Sequence, residues 1–268
     1  MIREPIVAGR FYPSSPSSLQ EQIRGFVDEN APKADVIGAV SPHAGYVYSG
    51  SVAGAVISRV KFKDTFIIMG PSHTGEGRPF SIMTEGSWKT PLGRVEIDSK
   101  LGKQILKGSR HLEEDHIAHL YEHSIEVQIP FLQYLKRDVK IVPIVLSLAP
   151  AAVYKEIGKE LARAITEAKA ETVIIASSDM THYESQDSAR RKDGRAIDAM
   201  LALNEDELMR EIRELNITMC GYAPTVALIT AARDLGAKRA ELVKYQTSGD
   251  VTGDYGSVVG YAGIIVVR

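Results

Sequence analysis

The sequence predicts a three-layer α/β sandwich with a mixed, mostly parallel central sheet, built as one domain over residues 1–268. Two observations carry that expectation. Short apolar runs rich in Val and Ile recur along the chain, as they do in strands covered on both faces. Stretches of helical period separate them, and such alternation places a sheet between two layers of helices. A third observation sets the size. No repeat, low-complexity tract or Pro/Gly/Ser linker divides the chain, and 268 residues suit one large domain.

The elements follow in chain order. "SLQEQIRGFV" opens at Ser18 with Glu21 three residues on, the spacing of a capping box. "DVIGAV" and "TFIIMG" read as buried strands. "PFSIMT" and "GRVEID" alternate more and predict a hairpin or a sheet edge. In "HLEEDHIAHLYEHSIEVQIPFL", His116, His119 and His123 stand at i, i+3 and i+7, one helix face if a helix begins that early. There, His123 and Glu126 are expected to point toward a rim, with a structural helix role as the competing reading. "KIVPIVLSL" and "TVIIAS" are strands, and "AAVYKEIGKELARAITEA" between them is a helix. "NEDELMREIREL" starts with Asn204 and Glu207 in capping relation, and Leu208, Ile212 and Leu215 share a face. "APTVALITAARDLG" is a further helix, and "VVGYAGIIVV" closes the chain as a strand.

Composition narrows the function classes. Hydrophobic residues make up 44% and charged residues 25%, ordinary for a globular protein. A net charge of -2 offers no overall basic field for nucleic acid or an anionic membrane. "MIREPIVAGRFYP" lacks the apolar core of a signal peptide, and no apolar run reaches the roughly 20 residues of a membrane span. The expectation is a soluble cytoplasmic protein. Cys220 is the single cysteine, so no internal disulfide framework exists.

Three histidines follow buried strands. His43 comes after "DVIGAV", His73 after "TFIIMG", and His182 after "TVIIAS", with Asp179 three residues before it. Ligands bind beyond the carboxyl ends of strands in sheets of this kind, so parallel neighbours would bring all three to one rim. A lone histidine in such a loop usually bonds a backbone carbonyl. Three of them with an adjacent Asp point instead to a metal or acid–base site. His119 and His123 resemble an HxxxH zinc pair, but Leu120 stands where the zinc-protease signature needs Glu. Cys220 precedes a helix, where a thiol with lowered pKa would serve as ligand or nucleophile; a buried inert thiol is the competing reading.

The ordered landmarks "AGRFYP", "SPHAGYVYSG", "GPSHTG", "EHSIEVQIPFL", "SSDMTHY", "CGYAP", "TSGDVTG" and "SVVGYAG" resemble the Memo family over nearly the whole chain. That family is related in fold to the LigB-like class III extradiol dioxygenases, which use non-haem iron. The resemblance implies metal ligands at His43, His73 and Cys220, a catalytic base at His182, and Asp179 beside it. It also implies a substrate or peptide pocket, expected here to involve Tyr46, Trp88, His123 and Tyr183. The dioxygenases carry a glutamate as third ligand, where this chain has Cys220. A thiolate is softer and favours copper or zinc alongside iron. The expectation is a metal-dependent redox protein using iron or copper. The alternative is a non-catalytic module that binds a peptide or partner protein in the same pocket, radical-SAM proteins being associated with microbial members. A metal-assisted hydrolase is the third reading, and no dedicated carboxylate pair supports it.

Overall fold

Along the run Thr65–Pro71, side chains part by parity, as strand geometry requires. Ile67 and Met69 enter one buried cluster, and Phe66 and Ile68 enter another. The same division holds at Thr172–Ser177, where Ile174 and Ala176 oppose Val173 and Ile175. Both faces are therefore apolar, and each needs its own layer of helices. The computed structural model describes residues 1–268 and supplies both layers.

The strands are β1 (Ile2–Arg3), β2 (Val36–Ser41), β3 (Thr65–Pro71), β4 (Phe80–Ile82), β5 (Ser87–Thr90), β6 (Gly93–Ile97), β7 (Glu113–Glu114), β8 (Lys140–Leu146), β9 (Thr172–Ser177), β10 (His182–Glu184), β11 (Arg239–Thr247) and β12 (Val258–Val267). The helices are α1 (Pro16–Arg24), α2 (Tyr46–Arg59), α3 (Ser99–Gly108), α4 (Ile117–Leu120), α5 (Ile129–Leu135), α6 (Ala151–Ala168), α7 (Gln186–Leu201), α8 (Glu205–Glu214), α9 (Tyr222–Asp234) and α10 (Gly249–Thr252). A 3-10 turn, Glu126–Gln128, leads into α5. Leu101 of α3, Leu161 of α6, Ile197 of α7, Leu208 of α8 and Leu228 of α9 fill one layer. Leu19 of α1, Val56 of α2 and Phe131 of α5 fill the other. No helix is long and apolar enough to cross a membrane.

The sheet is mixed and mostly parallel, in the order β1-β5-β6-β8-β3-β9-β2-β12-β10, with β11 also on β12 and β4 linking β7 to β8. Strands β8, β3, β9 and β2 form a parallel centre. Gly38 and Ile67 both lie opposite Ile174, so β2, β3 and β9 run in step and end along one edge.

Several expectations change. Helix α1 begins at Pro16 with Ser15 as N-cap, three residues before the expected capping box. Pro16 suits the first helical position because its missing N–H has no partner there in any case. Asn204 does cap α8, accepting from the Glu207 amide at 3.0 Å. The edge runs do not form a hairpin with each other; β4 pairs with β7 and β8, and β6 with β5 and β8. His116, His119 and His123 share no helix face, because α4 covers only Ile117–Leu120.

Candidate metal centre

The common strand edge puts side chains at matching depths. His43 lies two residues past β2, His73 two past β3, and Asp179 two past β9. His123 enters from the loop between α4 and the 3-10 turn. One ligand atom from each of His43, His73 and His123 falls within 4.8 Å of the others. The His43 ring centroid is 5.2 Å from that of His73 and 5.5 Å from that of His123, and the His73 and His123 rings stack at 4.6 Å.

Hydrogen bonds fix which nitrogens are free. Ser177 Oγ donates its only proton to Ser124 O at 2.7 Å. It can therefore only accept from His43 Nδ1, 3.0 Å away. His43 Nδ1 thus carries the proton, and Nε2 keeps its lone pair. Glu122 does the same for His73, accepting from Nδ1 at 2.9 Å and from the His73 amide at 2.7 Å. Anchoring one imidazole nitrogen so that the other faces an ion is how ligating histidines are held.

The electrostatics agree. Burial, then the neighbouring His73, lowers His43 to about 3. Burial, then His43, lowers His123 to about 4. Both are neutral imidazoles at physiological pH, the ligating form. Burial also opposes charge on His73, but the Glu122 hydrogen bond and charge outweigh it and raise the imidazole. Burial alone would raise Glu122; His73 and two backbone amides instead hold it down at about 2. The carboxylate stays ionised under the cluster.

Cys220 Sγ lies 3.2 Å from His43 Nε2 and accepts from the Asp179 amide at 3.3 Å. Ligands with bonds of about 2.1 and 2.3 Å sit roughly 3.6 Å apart on a tetrahedral ion. The sulfur is thus placed to share an ion with His43, although it is His123 that completes the convergent trio. The expected lowering of the thiol pKa is corrected. Burial, followed by the nearby Asp179 carboxylate, pushes Cys220 upward. Its place before α9 does not offset that, since Gly221 is the N-cap and stands between it and the helix.

Asp179 is buried, and burial raises its carboxyl even though it accepts from the His43 amide at 2.7 Å. His182 donates from Nδ1 to Thr218 O at 3.0 Å, so its Nε2 is an open acceptor. A pocket of about 340 Å³ opens over this group, lined by His43, His73, His123, Asp179, His182 and an aromatic mouth of Phe11, Tyr48, Tyr183 and Tyr261.

The description "Memo-like protein" belongs to the family whose sequence model matches residues 3–265. The chain belongs to the Memo family. A MEMO1 family protein of Methanococcoides burtonii is 50% identical, covering 99% of this chain and all of that one. Another, from Aquifex aeolicus, is 44% identical with 98% of each chain covered. Among solved structures, an uncharacterised Escherichia coli K12 protein has a related fold, with a TM-score of 0.59, 13% identity, and coverage of 86% of this chain and 100% of that one.

In this Memo-family chain, His43, His73, His182, Asp179, His123 and Tyr183 meet at one pocket, with Cys220 against His43. Two expected pocket residues lie elsewhere. Tyr46, the first residue of α2, is buried and donates to Val127 O at 2.7 Å. Trp88 is fully buried, with the Arg3 guanidinium 4.4 Å from its ring centroid. Glu126 does not reach the rim either; it is a buried ion-pair partner of Arg3. Sequence reasoning missed Glu122 and Ser177, the residues that orient the histidines. A carboxylate directly before His123 was the available signal for the first; nothing distinguished the second.

Proposed function

We propose that the pocket is a metal-dependent redox site, with iron or copper held by His43 and His73 together with His123, Cys220 or both. One observation carries the reading: three imidazoles from three different loops converge within 4.8 Å. The anchored Nδ1 atoms of two of them leave nitrogen lone pairs free. Nitrogen donors beside a soft sulfur suit both metals. Bound there, either ion supplies a one-electron couple that an oxidant such as dioxygen can recycle.

The chain's own residues divide the remaining work. His182 Nε2 accepts the proton that a substrate group loses on oxidation. Asp179 holds the loop carrying His43 through that residue's amide. Phe11, Tyr48 and Tyr183 receive an apolar or aromatic part of a small molecule or peptide. Protein isolated without chelator should contain iron or copper and consume oxygen with an added reductant. His43→Ala and His73→Ala should lose both properties, and equal oxygen uptake in those variants would refute the proposal.

A second reading, a non-catalytic module for a peptide or a partner protein, draws on the mouth itself. Tyr183 is 78% exposed and Tyr48 40% exposed, more than buried chemistry requires. Peptide binding that survives loss of the metal would favour it, and radical-SAM proteins are the partners to test first.

A further inference from the structure

The amino end of the sheet carries a separate cleft of about 490 Å³, lined in part by Arg24, Arg94 and Arg137. Arg94 lies two residues before Glu96, which pairs with Lys140 at the start of β8. The histidine pocket lies past the opposite ends of the strands. None of the three guanidinium groups makes an ion pair or donates a hydrogen bond within the protein, and all three are exposed. Arg3, Arg195 and Arg233, by contrast, each hold a carboxylate.

Helix ends account for two of these positions separately. Arg24 closes α1 and Arg137 follows α5 by two residues, where the helix dipole favours cations. Arg94 sits on a strand and has no such reason to be there. The backbone turn that leads into it is nevertheless held in place. Buried Gln133 of α5 donates to Gly93 O at 3.2 Å and accepts from Thr90 Oγ1, tying the turn before Arg94 to the helix. Glu29 is the only acid on the cleft wall, and it is engaged by the Tyr134 hydroxyl at 3.3 Å rather than by an arginine. Three permanent cations thus face one carboxylate across a walled space.

We propose that this cleft binds a small molecule bearing two or three linked phosphates. Planar guanidinium forks match phosphate oxygens in pairs, and three of them around one cleft suit a multivalent anion. The size of the space and the chain's overall charge of -2 favour a small ligand over a nucleic-acid backbone, which needs a long basic track.

The test is calorimetric titration of the full chain with inorganic pyrophosphate, in the wild type and in a His43→Ala/His73→Ala variant that removes binding at the metal pocket. Saturable binding of similar affinity in both is expected. Arg94→Gln and Arg137→Gln should each weaken it by roughly tenfold, the size of one lost charge-assisted pair. Glu29→Gln should tighten it. The melting temperature of Arg94→Gln should stay level, since that side chain bonds to nothing in the fold. No saturation at millimolar pyrophosphate, unchanged affinity in the arginine variants, or loss only in the histidine variant would each overturn the proposal. So would a short oligonucleotide that binds more tightly than pyrophosphate.

Discussion

Ser177 shows how much of the site depends on single hydrogen atoms. Its hydroxyl gives its proton to Ser124 O and receives His43 Nδ1 and Gln128 Nε2, the latter at 2.8 Å. Ser177→Ala would leave His43 Nδ1 without its acceptor in a buried setting and free the His43 ring to turn, while Gln128 Nε2 keeps Pro42 O at 2.9 Å. Metal affinity should fall about 10- to 100-fold, the usual effect of losing such a support, as read by competition with a chelator of known strength. His119 gives a second residue-scale prediction. Its Nε2 donates to Ser81 Oγ at 2.9 Å, while Nδ1 is buried without a partner. Burial and the nearby Arg3 and His116 charges lower it from 6.5 to about 3, against the opposing pull of Asp115 and Glu122. Between those values the unfolded chain binds a proton that the folded chain refuses, so stability drops as pH falls from about 6.5 toward 3. His119→Gln should flatten that dependence by up to about 1.4 kcal/mol per pH unit, measured by urea unfolding at several pH values. Neither residue was legible as such. Ser177 reads in sequence only as the end of an apolar strand, and His119 reads as a possible zinc ligand until its burial beside Trp88 is known.

Among the elements, the buried strands were the most legible, because β2, β3, β8 and β9 carry Val and Ile on both faces. Helix α6 was as plain, its limits matching the helical run Ala151–Ala168. Helix α2 was hidden. Its sequence YVYSGSVAGAVISR is small and apolar on most sides, because it packs against the sheet and also against Phe26. Gly54 marks that contact: an added Cβ would meet Phe26 O at 2.4 Å. Gly221 marks another, where a Cβ would meet Ser177 O at 2.3 Å. Gly221→Ala should push the start of α9, and Cys220 with it, away from His43. The expected outcome is a shifted metal spectrum alongside a destabilisation of about 1–3 kcal/mol, followed by absorption and thermal melting. Asn204→Ala removes a cap that has no part in the site. It should cost about 1 kcal/mol and leave metal content unchanged.

On the scale of the whole molecule, the arrangement divides stability from chemistry. Two apolar layers hold the sheet, and the loops past its carboxyl edge hold the polar groups. The positions of His43, His73 and His182 after strands were readable for this reason: strand ends are visible in sequence, and a parallel sheet aligns them. His123 was readable as a pocket residue, and it lines the pocket, but not as the third member of the cluster. It lies in the loop between a four-residue helix and a 3-10 turn, and the packing of that loop against Phe11, at 5.0 Å between ring centroids, brings it inward. Side-chain burial was equally invisible, which is why Trp88 and Tyr46 were expected at the pocket and lie in the core. The most direct measurement is anomalous diffraction at the iron and copper edges, from crystals of protein isolated without chelator. A single peak should lie about 2.0–2.1 Å from nitrogens of at least two of His43, His73 and His123. Protein that proves metal-replete while showing no peak in this pocket, or that keeps its full metal content after His43→Ala and His73→Ala, would contradict the assignment.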